Sequence, residues 1–193
     1  MCNKSLSEGS LPASQKAATI TPILKKAGLD ADEAKSYRPI SNLTFISKVI
    51  ERIVADQIKA FLSESSLMPQ LQSAYRPGHS TETATLKVLS DIHVLDAADS
   101  QKTTLLSLLD MSAAFDTVDF EILLRRLETS YGLSGTVLKW LTSFVTGRTQ
   151  AVVFDGVTSS PVKLICGVPQ GSVLGPLLFV LYAADVMTIA NSH

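Results

Sequence analysis

Apolar residues recur at helical spacing in some stretches of this chain and run together or alternate in others. Ile46, Val49, Ile50, Ile53, Val54, Ile58, Phe61 and Leu62 fall on one face and predict a helix capped by Asn42 or Thr44. A second helix starts at Ser80 or Thr81, continues through Leu86, Val88, Leu89, Ile92 and Leu95, and frays near Ala98. Asp116 and Asp119 read as an N-cap with a dipole-matched acid, opening a helix over 120–130. Gly132 and Gly135 separate it from another helix over 136–146, ended by Gly147, and a last helix covers 173–190. The strand signals differ in kind. Residues 17–25 are β-branched with a proline inside, which predicts an edge strand. Residues 103–109 form a continuous apolar run ending at Asp110, expected as a strand buried on both faces. Residues 149–154 and 162–166 alternate around Asp155-Gly156 and predict a hairpin with a rather long loop. Tyr37-Arg38-Pro39-Ile40 is held extended by its proline. Residues 1–16, 26–35 and 67–78 read as loops or polar connections. The fold class is α+β.

Composition adds bounds. The 193 residues are 46% hydrophobic and 18% charged, enough for a sizeable core in one domain or one and a fraction. A net charge of −1 taken alone argues against a nucleic-acid binder. Its distribution changes that: residues 1–80 hold ten Lys/Arg against seven Asp/Glu (+3), residues 81–193 seven against eleven (−4). A basic first part beside a carboxylate-bearing second part suits a polymerase. Two cysteines, Cys2 and Cys166, make no disulfide framework or metal spacing, which fits a reducing compartment, and Cys166 reads as a buried small hydrophobe. The first sixteen residues are polar and Ser-rich, unlike a signal peptide. The apolar stretch 176–190 is too short for a membrane span, carries Asp185, and reads as a core helix.

Two segments carry chemistry. Leu105-Leu-Ser-Leu-Leu-Asp110-Met-Ser-Ala-Ala-Phe115-Asp116-Thr-Val-Asp119 delivers a carboxylate and a ring at a strand end. Gly167-Val-Pro-Gln170-Gly171-Ser-Val-Leu-Gly175-Pro176-Leu-Leu is a punctuated turn with one Gln, opening into an apolar helix. Nucleotide polymerisation is phosphoryl transfer through two divalent ions about 3.5–4 Å apart, held by carboxylates on rigid backbone. Asp110 suits one such ligand, and from position alone a turn or cap aspartate is the commoner reading. Phe115 by itself reads as a core aromatic anchoring the turn. An aspartyl-phosphate nucleophile at Asp110 would want a second acid two residues on, where this chain has Ser112. No phosphate-binding loop with the Walker pattern is present.

In this order the segments resemble the palm of a reverse transcriptase of the non-LTR, LINE/Jockey-type retrotransposons. The resemblance implies that Asp110 is catalytic and binds both metals, and that Phe115 lies beneath the nucleotide sugar and excludes a 2′-hydroxyl. It implies that Gln170 and Gly171 line the nucleotide pocket and touch the template. Upstream, Ser36-Tyr37-Arg38-Pro39-Ile40-Ser41-Asn42-Leu43 is similar to the fingers motif whose Arg grips the incoming triphosphate, with Lys25 or Lys26 in the place of its partner lysine. Gln72-Ser-Ala-Tyr75-Arg76-Pro-Gly78-His79-Ser80-Thr81 resembles the block joining fingers to palm. There Arg76 is expected to stabilise the junction or contact the nucleic-acid strand, and His79 to be a loop or cap residue.

The family resemblance implies right-hand polymerase fingers with a junction over 1–100, and over 101–193 a partial, ferredoxin-like palm sheet. It implies Mg²⁺ (or Mn²⁺) as cofactor, and RNA template, DNA primer and dNTPs as partners, with no membrane. It also implies nuclear localisation with a cytoplasmic ribonucleoprotein stage. The family's aromatic-x-Asp-Asp hairpin is expected beyond His193. Tyr182-Ala183-Ala184-Asp185 lies inside a helix with one acid, so Asp185 is expected to be structural or solvent-facing. Three readings follow: a fingers-plus-partial-palm fragment of an RNA-directed DNA polymerase, inactive alone; a catalytically dead nucleic-acid-binding remnant; or a remnant that does not fold stably, its strand at Asp110 left with an unpaired edge.

Overall fold

The computed structural model describes residues 1–68, 72–98, 105–108, 110–111 and 113–186, with side chains at 95–98 outside the description. Its contacts divide the chain into two compact units, Met1–Leu67 with Ala113–His193, and Met68–Ser112.

Among its described residues the first unit is a five-stranded sheet with five α-helices. Two strands come from the N-terminal region: β1 (Ala17–Leu24) and β2 (Tyr37–Asn42). Three come from the C-terminal half: β3 (Thr149–Phe154), β4 (Val157–Thr158) and β5 (Val162–Lys163). The order is β2-β1-β3-β4, with β5 also on β3. Blocks assigned separately to fingers and palm by their motifs therefore share one sheet.

β1 is interior rather than an edge strand, pairing antiparallel with β2 and parallel with β3. The register explains how it tolerates proline. The ladder to β3 covers Ala17–Ile20 only, ending before Pro22. On the other side Pro22 lies opposite Pro39, and Lys25 N–H donates to Ser36 O at 2.9 Å. That bond makes the 22/39 position a non-hydrogen-bonded pair, where neither ring removes a ladder bond. The same alternation turns the Ser41 N–H outward from β2, the free edge.

The expected hairpin around Asp155-Gly156 is present but interrupted. The tight turn has φ of 47° and 77° at these residues and leads at once into β4. Ser159 N–H returns to Val152 O at 2.9 Å, and Pro161, which lacks a donor, separates β4 from β5.

Helices α1 (Cys2–Glu8), α2 (Phe45–Glu64), α4 (Phe120–Thr129), α5 (Gly135–Val145) and α6 (Gly175–Ala183) surround the core. Thr44 caps α2, accepting from Ser47 N–H at 3.1 Å, and the helix buries Ile50, Val54, Ala55, Ile58 and Leu62. Phe45 and Ile46 stay exposed. Asp119 caps α4 through Ile122 N–H at 2.9 Å, so Asp116 is not the cap. Ala113, with φ of 53°, opens a turn closed by Asp116 N–H and Thr117 N–H on Ala113 O, which delays the helix to Phe120.

Residues 1–16 are not a polar loop. Trp140 Nε1 donates to Ser5 Oγ at 3.0 Å, Leu11 N–H donates to Ser143 Oγ at 3.1 Å, and Leu11 is buried. Gln15 Oε1 accepts the Thr44 hydroxyl, tying this segment to the cap of α2. The signal was easy to miss because Ser5, Ser10 and Ser143, not a hydrophobic stripe, make the contacts. Helix α6 begins at Gly175, two residues later than expected, and runs to Ala183; residues 185 and 186 are helical again, and residues 187–190 of the expected helix lie outside the described residues. Arg126 of α4 donates to Tyr182 O, lies over the Tyr182 ring at 5.3 Å and pairs with Asp185 at 2.8 Å. Asp185 is structural, as expected.

The second unit holds α3 (Thr81–Ala98), opened by reciprocal bonds of Ser80 and Thr83. Leu86, Val88, Leu89 and Val94 are exposed on it. The strand expected over 103–109 does not form over its described part. Residues 105–108 have no sheet partner, with Leu105 91% and Leu108 85% exposed. An apolar run becomes a buried strand only where neighbouring strands satisfy its backbone, and among the described residues none does. Residues 103, 104 and 109 lie outside the described residues.

Candidate nucleotide and nucleic-acid site

The Gln170 loop is built by close backbone contact. Val168 N–H donates to Phe115 O and Gly167 N–H to Val118 O, both at 2.8 Å, stitching the loop to the turn before α4. A Cβ on Gly167 would stand 3.0 Å from Asp116 O, and φ is 86°, so only glycine fits. Gly171 has φ of 104°, and a Cβ there would stand 3.0 Å from Ser41 O. Between these glycines Gln170 O takes the outward Ser41 N–H at 2.7 Å, docking the loop on the free edge of β2.

The Gln170 amide reaches back to Asp116, with Nε2 at 3.3 and 3.5 Å from the two carboxylate oxygens. Asp116, set aside in the sequence as a cap, is thus a site residue. Its signal was absent because the pairing spans 54 residues of chain. Both line a cavity of about 360 Å³ together with Pro39, Ser41, Gln150 and Lys163. Lys163 was also missed, being a lone cation on a short strand. Cys166 lines the cavity as well and is exposed, contrary to the expectation of burial. The strand that was to bury it ends at Lys163. A second cavity of about 320 Å³, between α2 and α5, is lined mainly by apolar groups such as Val54, Ile58, Phe61 and Trp140 and offers no comparable polar set.

Phe115 packs its half-buried ring against Phe179 of α6, centroids 5.2 Å apart, which anchors the turn to that helix. Lys25, Lys26 and Arg38 are exposed on the β1–β2 hairpin, Arg38 opposite Ile23. Strand alternation puts Arg38 with Ile40 on the face opposite Pro39 and Ser41, so Arg38 does not line the cavity. Gly171 approaches the Ile40 side chain on Arg38's side of the strand.

In the second unit Asp110 is exposed and lies outside any strand. Arg76 is half-buried in the turn before α3, its carbonyl accepting His79 N–H at 3.3 Å. His79 is a loop residue, its ring against Pro77 O at 3.1 Å. Among the described residues, no three His, Cys, Asp or Glu side chains stand together to hold a metal ion. Among the same residues no helix is long and apolar enough to cross a membrane.

Beneath the loop lie two buried charges. Glu51 of α2 accepts Val173 N–H at 2.8 Å, Leu174 N–H at 3.3 Å and the Ser47 hydroxyl at 2.9 Å. Arg148, just before β3, donates to Phe144 O at 3.2 Å and lies over the Phe144 ring, while its Nε and Nη2 have no partner. Burial lowers its pKa from the ordinary guanidinium value, and attraction to Glu51 works the other way. Lys16, bonded to Thr146 O at 3.2 Å, is also lowered, first by burial and then by Arg148.

The α+β arrangement is a polymerase fold. It superposes on apo telomerase from Candida tropicalis with a TM-score of 0.60 at 14% identity, over 94% of this chain and 40% of that one. The model of the reverse transcriptase (RNA-dependent DNA polymerase) family matches residues 23–193, and the chain belongs to that family. It is 38% identical, over 86% of its length, to the probable RNA-directed DNA polymerase from transposon X-element of Drosophila melanogaster, of which it covers 18%. It is 34% identical, over 95% of its length, to the RNA-directed DNA polymerase from mobile element jockey of Drosophila funebris, of which it covers 20%. The chain thus spans about a fifth of the length of these relatives.

Proposed function

We propose that this chain forms the fingers (1–100) and part of the palm (101–193) of a retrotransposon RNA-directed DNA polymerase that copies an RNA template from a DNA primer with dNTPs. The observation carrying this reading is the Gln170 loop, docked on β2 and bonded to Asp116 over a cavity, within a family match running from residue 23 to 193. Gln170, Gly171 and Phe115 line the nucleotide pocket in this reading. Lys25, Lys26 and Arg38 meet the triphosphate, Arg76 contacts the nucleic-acid strand, and Asp110 is the first metal-binding carboxylate. Polymerases of this family use divalent metal ions, and in this reading Asp110 meets Mg²⁺ or Mn²⁺. Nuclear action with a cytoplasmic ribonucleoprotein stage accompanies the proposal.

The exposed cations of the β1–β2 hairpin favour a second reading, nucleic-acid binding without catalysis. One experiment separates the two. The 193-residue polypeptide is titrated into a labelled RNA template–DNA primer duplex at several salt concentrations, then supplied with dNTPs and Mg²⁺. Both readings expect salt-dependent binding; the binding-only reading expects its log–log slope to fall by about one for each of Lys25, Lys26 and Arg38 replaced by Ala, whereas the polymerase reading, with these cations on the triphosphate, expects the duplex slope to stay unchanged. The polypeptide alone is expected to bind without extending the primer, because a single motif carboxylate does not hold two ions. Extension abolished by Asp110→Ala would overturn that expectation. Salt-independent or absent binding would remove both readings.

A further inference from the structure

Glu51 carries no mark in the apolar periodicity of α2, yet it is fully buried. A buried carboxylate is costly unless hydrogen-bonded on both oxygens. Here Oε1 takes the Ser47 hydroxyl at 2.9 Å, one helical turn earlier on the same face. Oε2 takes Val173 N–H at 2.8 Å and Leu174 N–H at 3.3 Å. These two donors follow Gln170 by three and four residues, at the point where the loop turns into α6. Backbone N–H groups at a helix start have no partner within the helix and favour negative charge. Arg148, also fully buried, supplies positive charge attracted to Glu51.

The other end of the loop is held by Gln170 O on Ser41 N–H at 2.7 Å. Residues 170–174 are therefore fixed at one end by β2 and at the other by α2. That span carries both pocket residues, and its placement sets the reach of the Gln170 amide to Asp116 at 3.3 Å. A shift of a fraction of an ångström at Val173 would lengthen that bond beyond hydrogen-bond distance.

We infer that Glu51 is a positioning residue: through the Val173 and Leu174 N–H groups it sets where the loop presents Gln170 and Gly171 to the nucleotide and template strand. This inference rests on the reading of the loop as the nucleotide pocket. Glu51 itself touches neither.

The test uses the full chain, Glu51→Gln and Ser47→Ala, read by amide hydrogen exchange and by binding of the RNA template–DNA primer duplex. Glu51→Gln keeps the shape and removes the charge. It is expected to speed exchange at Val173 and Leu174 about tenfold, leave Leu141 and Phe144 of α5 protected, and weaken duplex binding several-fold with an unchanged salt slope, since no phosphate contact is lost. Ser47→Ala, which frees only Oε1, is expected to do the same to a smaller extent. Unchanged exchange at Val173 and Leu174 would overturn the inference. So would faster exchange there with undiminished binding, because the loop position would then not be sensed. If Glu51→Gln loosens the whole fold, Ser47→Ala decides: local loosening with weaker binding supports positioning, and any other pattern rejects it. Failure of the unmodified chain to bind the duplex would strike the polymerase reading itself, recognisable because exchange at the two amides would still respond to Glu51→Gln.

Discussion

Residues 167–175 find partners on three sides, the turn at Phe115–Val118, the free edge of β2 at Ser41 and the Glu51 carboxylate on α2, and within the segment the Ser172 hydroxyl takes Gly175 N–H at 2.8 Å. Residues 105–108 find none among the described residues, and Leu105 and Leu108 lie open to solvent. Both segments carry family motifs of similar specificity. They differ in what their local structure requires. The Gln170 loop is punctuated by glycine and proline, and its backbone groups are satisfied by loops and side chains within its own unit. The Asp110 segment is an apolar strand sequence, and such a sequence depends on neighbouring strands for both its backbone bonds and its burial. Motif strength in a sequence therefore says nothing of whether the structural surroundings of the motif are in place.

The largest expected effect tests this contrast directly. Phe144→Ala, in the core of the first unit, is expected to cost about 3–5 kcal/mol in denaturant unfolding. Leu105→Ala and Leu108→Ala are expected to stay within about 0.5 kcal/mol. Comparable losses at Leu105 or Leu108 would mean that the segment is packed in solution, and the contrast would collapse.

The aspartates sharpen it on a smaller scale. Asp119→Ala removes the cap of α4 and is expected to cost about 1 kcal/mol, at most about 2. Asp116→Ala removes a bond to an exposed amide and is expected to leave stability within about 0.5 kcal/mol. Equal losses in the two variants, measured by thermal unfolding, would return Asp116 to a structural role.

The smallest effect lies where α4 and α6 are joined. Tyr131 donates its hydroxyl to Leu181 O at 3.1 Å, and Tyr131→Phe is expected to cost about 0.5–1 kcal/mol at neutral pH. Burial, and then the Asp185 charge, raise the Tyr131 pKa above its ordinary 10.0. An acid with a raised folded pKa contributes stability that is complete below the unfolded value and is lost as pH climbs through the folded one. Stability should therefore decline above pH 10, and Tyr131→Phe should flatten that decline. Lys16 acts in the opposite sense: its lowered pKa makes stability rise with pH until its ordinary 10.5 is passed. An alkaline decline of the same slope in Tyr131→Phe would show that the phenol is not its source.

Much of the fold was legible because local rules sufficed. The 3.6-residue apolar spacing located α2, α4 and α5 to within about a turn, Thr44 was one of two expected caps of α2, the cap of α4 lay three residues past the expected Asp116, and β3 was bounded as expected. The family motifs brought Gln170, Gly171 and Phe115 to one region. Other parts were illegible because their partners are distant in sequence. Asp116 meets Gln170 across 54 residues, Glu51 meets Val173 across 122, and Ser5 meets Trp140 across 135.

By itself, the order of residues determined the α+β class, the glycine turns and the family, since each depends on neighbours a few positions apart or on motif identity. Tertiary structure alone decided that β1 is interior, that Arg38 and the cavity lie on opposite faces of β2, that a buried Glu51 holds the pocket loop, and that residues 105–108 have no strand partner among the described residues. The reason is common to all four. Sheet order, strand facing and the satisfaction of a buried charge depend on which distant segments pack together, and hydrophobic periodicity records only that a residue is to be covered, not what covers it.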